Sequence, residues 1–453
     1  MKHDLGEKMR LIYGNLQSSV MRLLGEQKKS LTEYRMMNFC IKKEVNGRNL
    51  IYNNFTKLLA ELSEEEYSAL KSGEIKYSSL LDELISKWFL VPISNDDVQL
   101  CEQIFNLISL SSKKVGINNF VIFTTSDCNA RCFYCFENGV QRENMSEQTA
   151  LDVCKYIKEV SNGEKVSLKW FGGEPLYNAK VIDIISNYLK SNEIEFSSKM
   201  TSNGFLFDDS TILRAKESWN LKRVQITLDG TEKVYNKIKN YIYTDCPNPF
   251  KRVIGNISKL IENQICVTIR LNVSDANRSD IYSLIDYLSK IFNPSDYLKI
   301  YVSNLYDLEH ILDDYERVRL LDEIFKIDSY LVDIGFTRYG LEKWNHYGRS
   351  CMAHNDNSIV ITPTGLLGKC EHFSEGDKLF GSIYGSKKEQ KVIDFWNKCS
   401  RIDECSKCVL YPNCIGITNC PCSYGKCDSA DRMVRIYDLE KSILTEAFKH
   451  DKG

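Results

Sequence analysis

The chain has 453 residues, 43% hydrophobic and 26% charged, a balance that fits a folded globular protein, excludes wholesale disorder and, at this length, points to about three domains. Lysine plus arginine total 59 against 61 for aspartate plus glutamate, a net charge of −2, so the basic excess of a nucleic-acid-binding protein is missing. No run approaches the roughly 18 apolar residues of a membrane span, and no apolar signal segment follows Met1, so a cytoplasmic chain without nucleic-acid or membrane partners is expected.

Residues 1–30 carry charged and apolar residues at helical spacing, which predicts an N-terminal helix. Residues 35–53 read as two strands around Val45-Asn46-Gly47-Arg48, because Asn-Gly favours a tight type I′ turn. A helix starts at Ser63, with Glu66 completing a capping box, and another spans Leu80–Lys87. Trp88–Pro92 closes the region as a short strand. A hairpin followed by helices outlines a winged-helix-like module within residues 1–115.

From about residue 116 to 345, β-rich runs alternate with amphipathic stretches. The runs are Phe120–Thr125, Val166–Trp170, Phe196–Thr201, Val224–Leu228, Val267–Val273 and Leu298–Val302, and the stretches include Glu147–Val160 and Lys180–Lys190. This alternation predicts an α/β fold with a parallel sheet and ligand sites at the C-terminal strand ends. Residues 346–453 are cysteine-rich and irregular, ending in a helix near Arg432–Phe448.

Seventeen cysteines are distributed unevenly. Cys128, Cys132 and Cys135 form one group, nine lie from Cys351 to Cys427, and Cys40, Cys101, Cys154, Cys246 and Cys266 stand alone. Clustered thiols in a reducing compartment bind metal more often than they form disulfides. The isolated ones read as small buried apolar residues. Three thiolates within eight residues, after the first strand, can hold a four-iron cluster with one iron lacking a protein ligand, or a zinc ion completed by a distant residue. After the second strand comes Trp170-Phe171-Gly172-Gly173-Glu174-Pro175, whose glycines permit close backbone approach and whose Glu174 can face an ammonium group.

A Cys-x3-Cys-x2-Cys after strand one with Gly-Gly-Glu-Pro after strand two resembles the radical S-adenosylmethionine (radical SAM) enzyme superfamily. The resemblance implies a partial (β/α)6 barrel. It also implies a four-iron cluster on Cys128, Cys132 and Cys135, whose open iron binds the amino and carboxylate groups of S-adenosylmethionine. One-electron reduction then yields a 5′-deoxyadenosyl radical that abstracts a substrate hydrogen. By the same resemblance Tyr134 lies near the adenine. Gly172, Gly173 and Glu174 hold the methionyl amino group. Ser202 and Thr227 are candidate ligands for the carboxylate or ribose, and Arg270 and Asn272 end the fifth strand facing the cofactor. Each of these also reads as an ordinary strand-terminal polar residue. Relatives often carry His-Asp-x-x-Arg after the fourth strand, where this chain has Tyr235-Asn236-Lys237-Ile238-Lys239.

The C-terminal cysteines resemble the SPASM extension of peptide- and protein-modifying radical SAM enzymes. Cys351 is followed by thirteen residues, Gly365, four residues and Cys370, and then by Cys405-x2-Cys408-x5-Cys414. A further cysteine is due after three residues, and here Cys420 follows after five. A zinc-ribbon module is the other reading of the Cys-x2-Cys pair. The resemblance implies a distal auxiliary cluster on Cys405, Cys408, Cys414 and Cys427. A nearer one would rest on Cys351, Cys370 and Cys420, with Cys399 or Cys422 completing it or an open iron left for a substrate thiolate. The implied function is a maturase that installs a thioether or carbon–carbon crosslink in a ribosomally made precursor peptide. Its reductant would be a flavodoxin or ferredoxin, and its N-terminal region would bind a leader segment or serve as a packing cap. The alternative is a sulfatase-maturating type enzyme that makes formylglycine.

Overall fold

The computed structural model describes residues 9–29, 33–72, 78–111, 116–242, 245–305, 313–336, 341–345, 351–372, 376–385, 389–414, 416–419, 427 and 429–448. The chain divides into two compact units: Met1–Lys113 with Tyr339–Ser350 and Cys399–Gly453, and Lys114–Arg338 with Cys351–Lys398. Among the described residues no helix is long and apolar enough to cross a membrane.

The first unit opens with strand β1 (Arg10–Tyr13) and a short helix α1 (Ser19–Leu24) rather than one long N-terminal helix. Gly14, at φ 115°, and an Asn15 side chain that accepts from the Gln17 amide break the chain between them. Strands β2 (Tyr34–Met36), β3 (Cys40–Val45), β4 (Arg48–Asn53) and β5 (Leu58–Leu62) follow, then α2 (Glu64–Ser72), α3 (Ser78–Ser86), β6 (Leu90–Pro92) and α4 (Asp97–Ser111). Asn46 and Gly47 have φ of 50° and 75°, the type I′ signature. The capping box also forms: the Glu66 amide donates to Ser63 Oγ at 3.2 Å and the Ser63 amide to the Glu66 carboxylate at 2.9 Å.

The expected hairpin lies inside a larger antiparallel sheet of order β1-β5-β4-β3, while β2 pairs with β6. One face of the sheet, through Ile51, Leu58, Ala60 and Leu62, packs on Tyr67, Leu70, Leu80 and Leu84 of α2 and α3. Because β4 and β5 are buried on both faces, they lack the polar alternation that marks a half-buried strand.

The second unit carries the six expected parallel strands: β7 (Asn119–Thr125), β8 (Val166–Gly172), β9 (Phe196–Ser202), β10 (Leu221–Leu228), β11 (Cys266–Val273) and β12 (Leu298–Asn304). Between them lie α5 (Glu147–Ser161), α6 (Ala179–Ser191), α7 (Asp209–Glu217), α8 (Glu232–Lys239), α9 (Pro249–Glu262) and α10 (Arg278–Ile291), and α11 (Asp314–Asp333) follows. This is the partial (β/α)6 barrel. Helix α9 shows how local sequence makes the layer. Asn248 caps the Lys251 amide at 3.1 Å, Pro249 occupies the first turn, and Phe250, Val253, Ile254, Ile257 and Leu260 form one buried stripe.

The sheet continues past β7 with β13 (Ser358–Ile361), parallel to β7, then antiparallel β14 (Leu366–Gly368) and β15 (Leu379–Ser382), followed by α12 (Gln390–Asn397). Sequence reading left this stretch irregular, because a four-residue apolar run carries no readable period.

The remaining chain rejoins the first unit as β16 (Cys399–Ser400), β17 (Ile417–Thr418) and α13 (Ser429–Phe448). Leu439, Ile443 and Ala447 of α13 cover the other face of the N-terminal sheet at Ile41, Leu50, Tyr52 and Leu59. Asn54 Nδ2 donates to Val409 O at 2.8 Å, and Phe39 stacks on Tyr411 with ring centroids 5.7 Å apart. Of the isolated cysteines, Cys101 and Cys154 are buried, as expected, and Cys40, Cys246 and Cys266 are half-buried.

Trp219, fully buried, donates from Nε1 to Asp183 at 2.7 Å and stacks under the Arg214 guanidinium. Trp219→Ala removes the ring and leaves the Asp183 acceptor short of a donor. The expected loss is about 3–5 kcal/mol, measured as a lowered midpoint of denaturant unfolding.

Candidate active site

Cys128, Cys132 and Cys135 lie on the loop between β7 and α5, beside the loop that ends β8. The two loops touch through backbone: the Gly173 amide donates to Thr125 O at 3.1 Å and the Glu174 amide to Asp127 O at 2.9 Å. Gly172 sits at φ 123°, and a Cβ there would lie 2.0 Å from Thr125 O; one on Gly173 would lie 2.3 Å from Asp127 O. The close approach that these glycines permit is therefore first of all to the cysteine loop itself.

Glu174 is fully buried. Its carboxylate accepts from Ser202 Oγ at 2.9 and 3.0 Å, from the Asn203 amide at 2.8 Å and from the Leu176 amide at 3.2 Å. Burial pushes its pKa up to about 7 against the pull of these donors. Asn203 extends the link, donating from Nδ2 to Asn129 Oδ1 at 2.7 Å beside Cys128 Sγ at 3.7 Å. Ser202 and Glu174 thus act on one another and tie the ends of β8 and β9 to the cysteine loop.

A second junction was not foreseen from sequence. Asp229, buried after β10, accepts from Tyr134 Oη at 2.8 Å, from Asn272 Nδ2 at 3.0 Å and from Lys239 Nζ at 2.9 Å. Lys239, itself buried, also donates to Tyr134 Oη at 3.0 Å. Burial disfavours its charge, but Asp229, Tyr134, Cys132 and Tyr235 together outweigh burial and raise its pKa. Lys239 stands at the position where relatives often have arginine, and that departure was the available signal. Thr227 and Arg270 are paired across β10 and β11, and Arg270 Nη2 donates to Ser303 Oγ at 3.0 Å.

Burial pushes the Cys128 thiol up to about 12, with Glu174, Cys132 and Cys135 adding to the shift, and raises Cys132 and Cys135 as well. Buried thiols that resist ionisation on their own would take their missing charge from a soft cationic centre. Among the described residues Asn129 Nδ2, Arg270 Nε and Asn272 Oδ1 are buried without a hydrogen-bond partner. Such orphaned groups fit a bound polar ligand.

In the first unit, Cys405, Cys408, Cys414 and Cys427 line one small cavity with Arg401, Arg432 and Arg435. The Ile402 amide points at Cys405 Sγ at 3.4 Å and the Gly416 amide at Cys414 Sγ at 3.3 Å. Arg432 and Arg435 approach Cys427 and Cys414 sulfurs at 3.9 and 3.8 Å. These donors and cations suit four thiolates. Cys370 is buried at the end of β14 and Cys351 is half-buried ahead of Met352–His354, both in the second unit. Cys399 is exposed at β16. Cys420 and Cys422 lie outside the described residues.

Lys239→Met leaves Asp229 as a buried carboxylate without its cation, and a loss of about 3–5 kcal/mol in unfolding free energy is expected. Glu174 gives a pH test on the cluster-free chain. Its folded pKa lies above the ordinary 4.5, so between 4.5 and about 7 the unfolded state binds fewer protons and stability falls as pH rises. Glu174→Gln is expected to remove that slope, as read from denaturation midpoints across the interval.

Residues 122–288 match the radical SAM superfamily. The chain is 28% identical over 300 residues to a GTP 3′,8-cyclase of Clostridium perfringens, covering 61% of this chain and 87% of the relative. It is 21% identical over 400 residues to the radical SAM cyclopropyl synthase TigE of Paramaledivibacter caminithermalis, covering 81% of each. Among solved structures, anSMEcpe with bound AdoMet and the Cp18Cys peptide superposes with a TM-score of 0.55 at 19% identity, over 73% of this chain and 96% of that one. The family uses S-adenosylmethionine and a four-iron, four-sulfur cluster. The matched span takes in the Cys128, Cys132 and Cys135 loop and all or part of five of the six parallel strands, so the chain carries a radical SAM domain, and its relatives are enzymes.

Proposed function

We propose that this enzyme is a peptide maturase that installs a radical-derived crosslink, a thioether or carbon–carbon bond, in a ribosomally synthesised precursor peptide. The observation that carries the reading is the convergence of Cys405, Cys408, Cys414 and Cys427 on one cavity outside the barrel. That is the ligand set of an auxiliary cluster in the SPASM pattern, which accompanies peptide-modifying members. The relationship to TigE over most of both chains and the fold shared with the peptide-bound anSMEcpe support it.

Cys128, Cys132 and Cys135 would hold the catalytic cluster, with Cys351 and Cys370 contributing to a second auxiliary one. S-adenosylmethionine and the reduced cluster supply the hydrogen-abstracting radical when bound. The chain's own residues hold the site around them. Asp229 and Lys239 fix Tyr134, Glu174 braces the β9 end through Ser202 and Asn203, and Arg270 and Asn272 keep unsatisfied polar atoms for a ligand. The N-terminal sheet ends in strands β1 and β3, and sheet edges take up extended peptide by main-chain hydrogen bonds. A leader segment is the proposed occupant. Clustered thiols need reducing surroundings, which supports a cytoplasmic setting with a flavodoxin or ferredoxin as electron donor.

Anaerobic reconstitution tests the reading. About 12 irons per chain are expected from three four-iron clusters, and about 8 in the Cys405→Ala, Cys414→Ala double variant. With dithionite and S-adenosylmethionine the holoenzyme should release 5′-deoxyadenosine, and the precursor peptide should lose two hydrogens per bond formed. Conversion of GTP with no change in peptide mass would assign the enzyme instead to the cyclase branch of its relatives.

A further inference from the structure

Strand alternation sorts the barrel residues into two faces. On β8 to β11 the helix-facing apolar residues, such as Leu168, Trp170, Val224, Ile226 and Ile269, are buried. The inner set keeps solvent contact and is charged in one sense only. The strands Asn119–Thr125, Val166–Gly172, Phe196–Ser202, Leu221–Leu228, Cys266–Val273 and Leu298–Asn304 contain no aspartate or glutamate. Their inner face nevertheless carries Lys169, Lys199, Arg223, Arg270 and Lys299.

Three of these cations form a row. Lys169 pairs in register with Lys199, and Lys199 with Arg223, across β8, β9 and β10. Adjacent strands are about 4.8 Å apart, so three positive side chains emerge within roughly 10 Å. Lys169 has a partner, Glu371, at 2.6 Å. Lys199 and Arg223 are exposed and make no ion pair among the described residues. Burial lowers the pKa of Lys199, as do Lys169 and Arg223, while Glu371 raises it. Among the described residues one carboxylate, Glu371, therefore serves this row of three cations. Such a surplus on a concave wall favours an anionic guest and steers it inward.

We propose that the inner wall formed by Lys169, Lys199 and Arg223 binds the carboxylate side chains of an acidic peptide segment, so that the enzyme selects substrates with aspartate or glutamate close to the modified residue. This rests on the peptide-maturase reading and deepens it.

The test uses the reconstituted full-length holoenzyme and fluorescence anisotropy with rhodamine-labelled hexaglutamate and hexaglutamine. Hexaglutamate is expected to bind at least about tenfold more tightly, a difference of about 1.4 kcal/mol, and the preference should shrink in high salt. Lys199→Glu and Arg223→Glu should each abolish the preference, and the milder Lys199→Gln should reduce it. Lys222→Glu, exposed on the same strand but on its other face, should leave it intact. Equal binding of the two peptides, or binding of neither, overturns acid recognition while leaving the maturase reading standing. Displacement of hexaglutamate by micromolar GTP, with turnover of the nucleotide, overturns both.

Discussion

The site depends on one buried carboxylate. Asp229 ends the fourth barrel strand, and three donors from different parts of the chain meet on it: Tyr134 from the cysteine loop, Asn272 from the fifth strand and Lys239 from helix α8. A carboxylate this deep survives only because it is fully engaged. That requirement locks the cysteine loop to the barrel rim. Glu174 performs the matching service on the other side through Ser202 and Asn203. The cysteine loop is thus held between two acidic junctions, which leave little freedom in where its sulfurs sit.

Local signals in the sequence were readable where short-range chemistry decides the structure. Asn46-Gly47 forces left-handed backbone, Ser63 and Glu66 satisfy each other's amides, and the six parallel strands alternate with amphipathic helices. The misses have a common cause. Strands β1, β5 and β13 exist because distant partners cover them, and a four- or five-residue apolar run has no period of its own. The radical SAM motifs located the cysteine loop and the Gly-Gly-Glu turn. They did not reveal that Glu174 is spent on Ser202 and Asn203, or that Lys239 is buried against Asp229 and Tyr134. Both facts arise from burial, which a linear motif does not encode. The basic inner wall escaped for a related reason: Lys169, Lys199 and Arg223 lie 24 to 54 residues apart and meet only through strand register.

Each of the two units is assembled from segments that are not consecutive in the chain. The barrel carries the cysteine loop and the charged wall. The four-sulfur cavity belongs with the N-terminal sheet, where Cys405 packs with Phe39 and Tyr411 and Cys408 with the cluster that includes Leu439 and Ile443 of α13. Tyr411 both lines that cavity and donates to Glu102 of α4 at 2.6 Å. Arg401, which lines the same cavity, reaches Glu102 as well, at 4.0 Å, so the sulfurs and α4 share two polar links.

The packing of α13 on the N-terminal sheet also dictates when this protein can finish folding. Lys43 and Glu440 form an ion pair 397 residues apart in sequence. At roughly 5–20 residues per second, ribosomes need about 20 to 80 s to bridge that gap. Throughout that interval Ile41, Leu50, Tyr52 and Leu59 offer a bare greasy face to the cell.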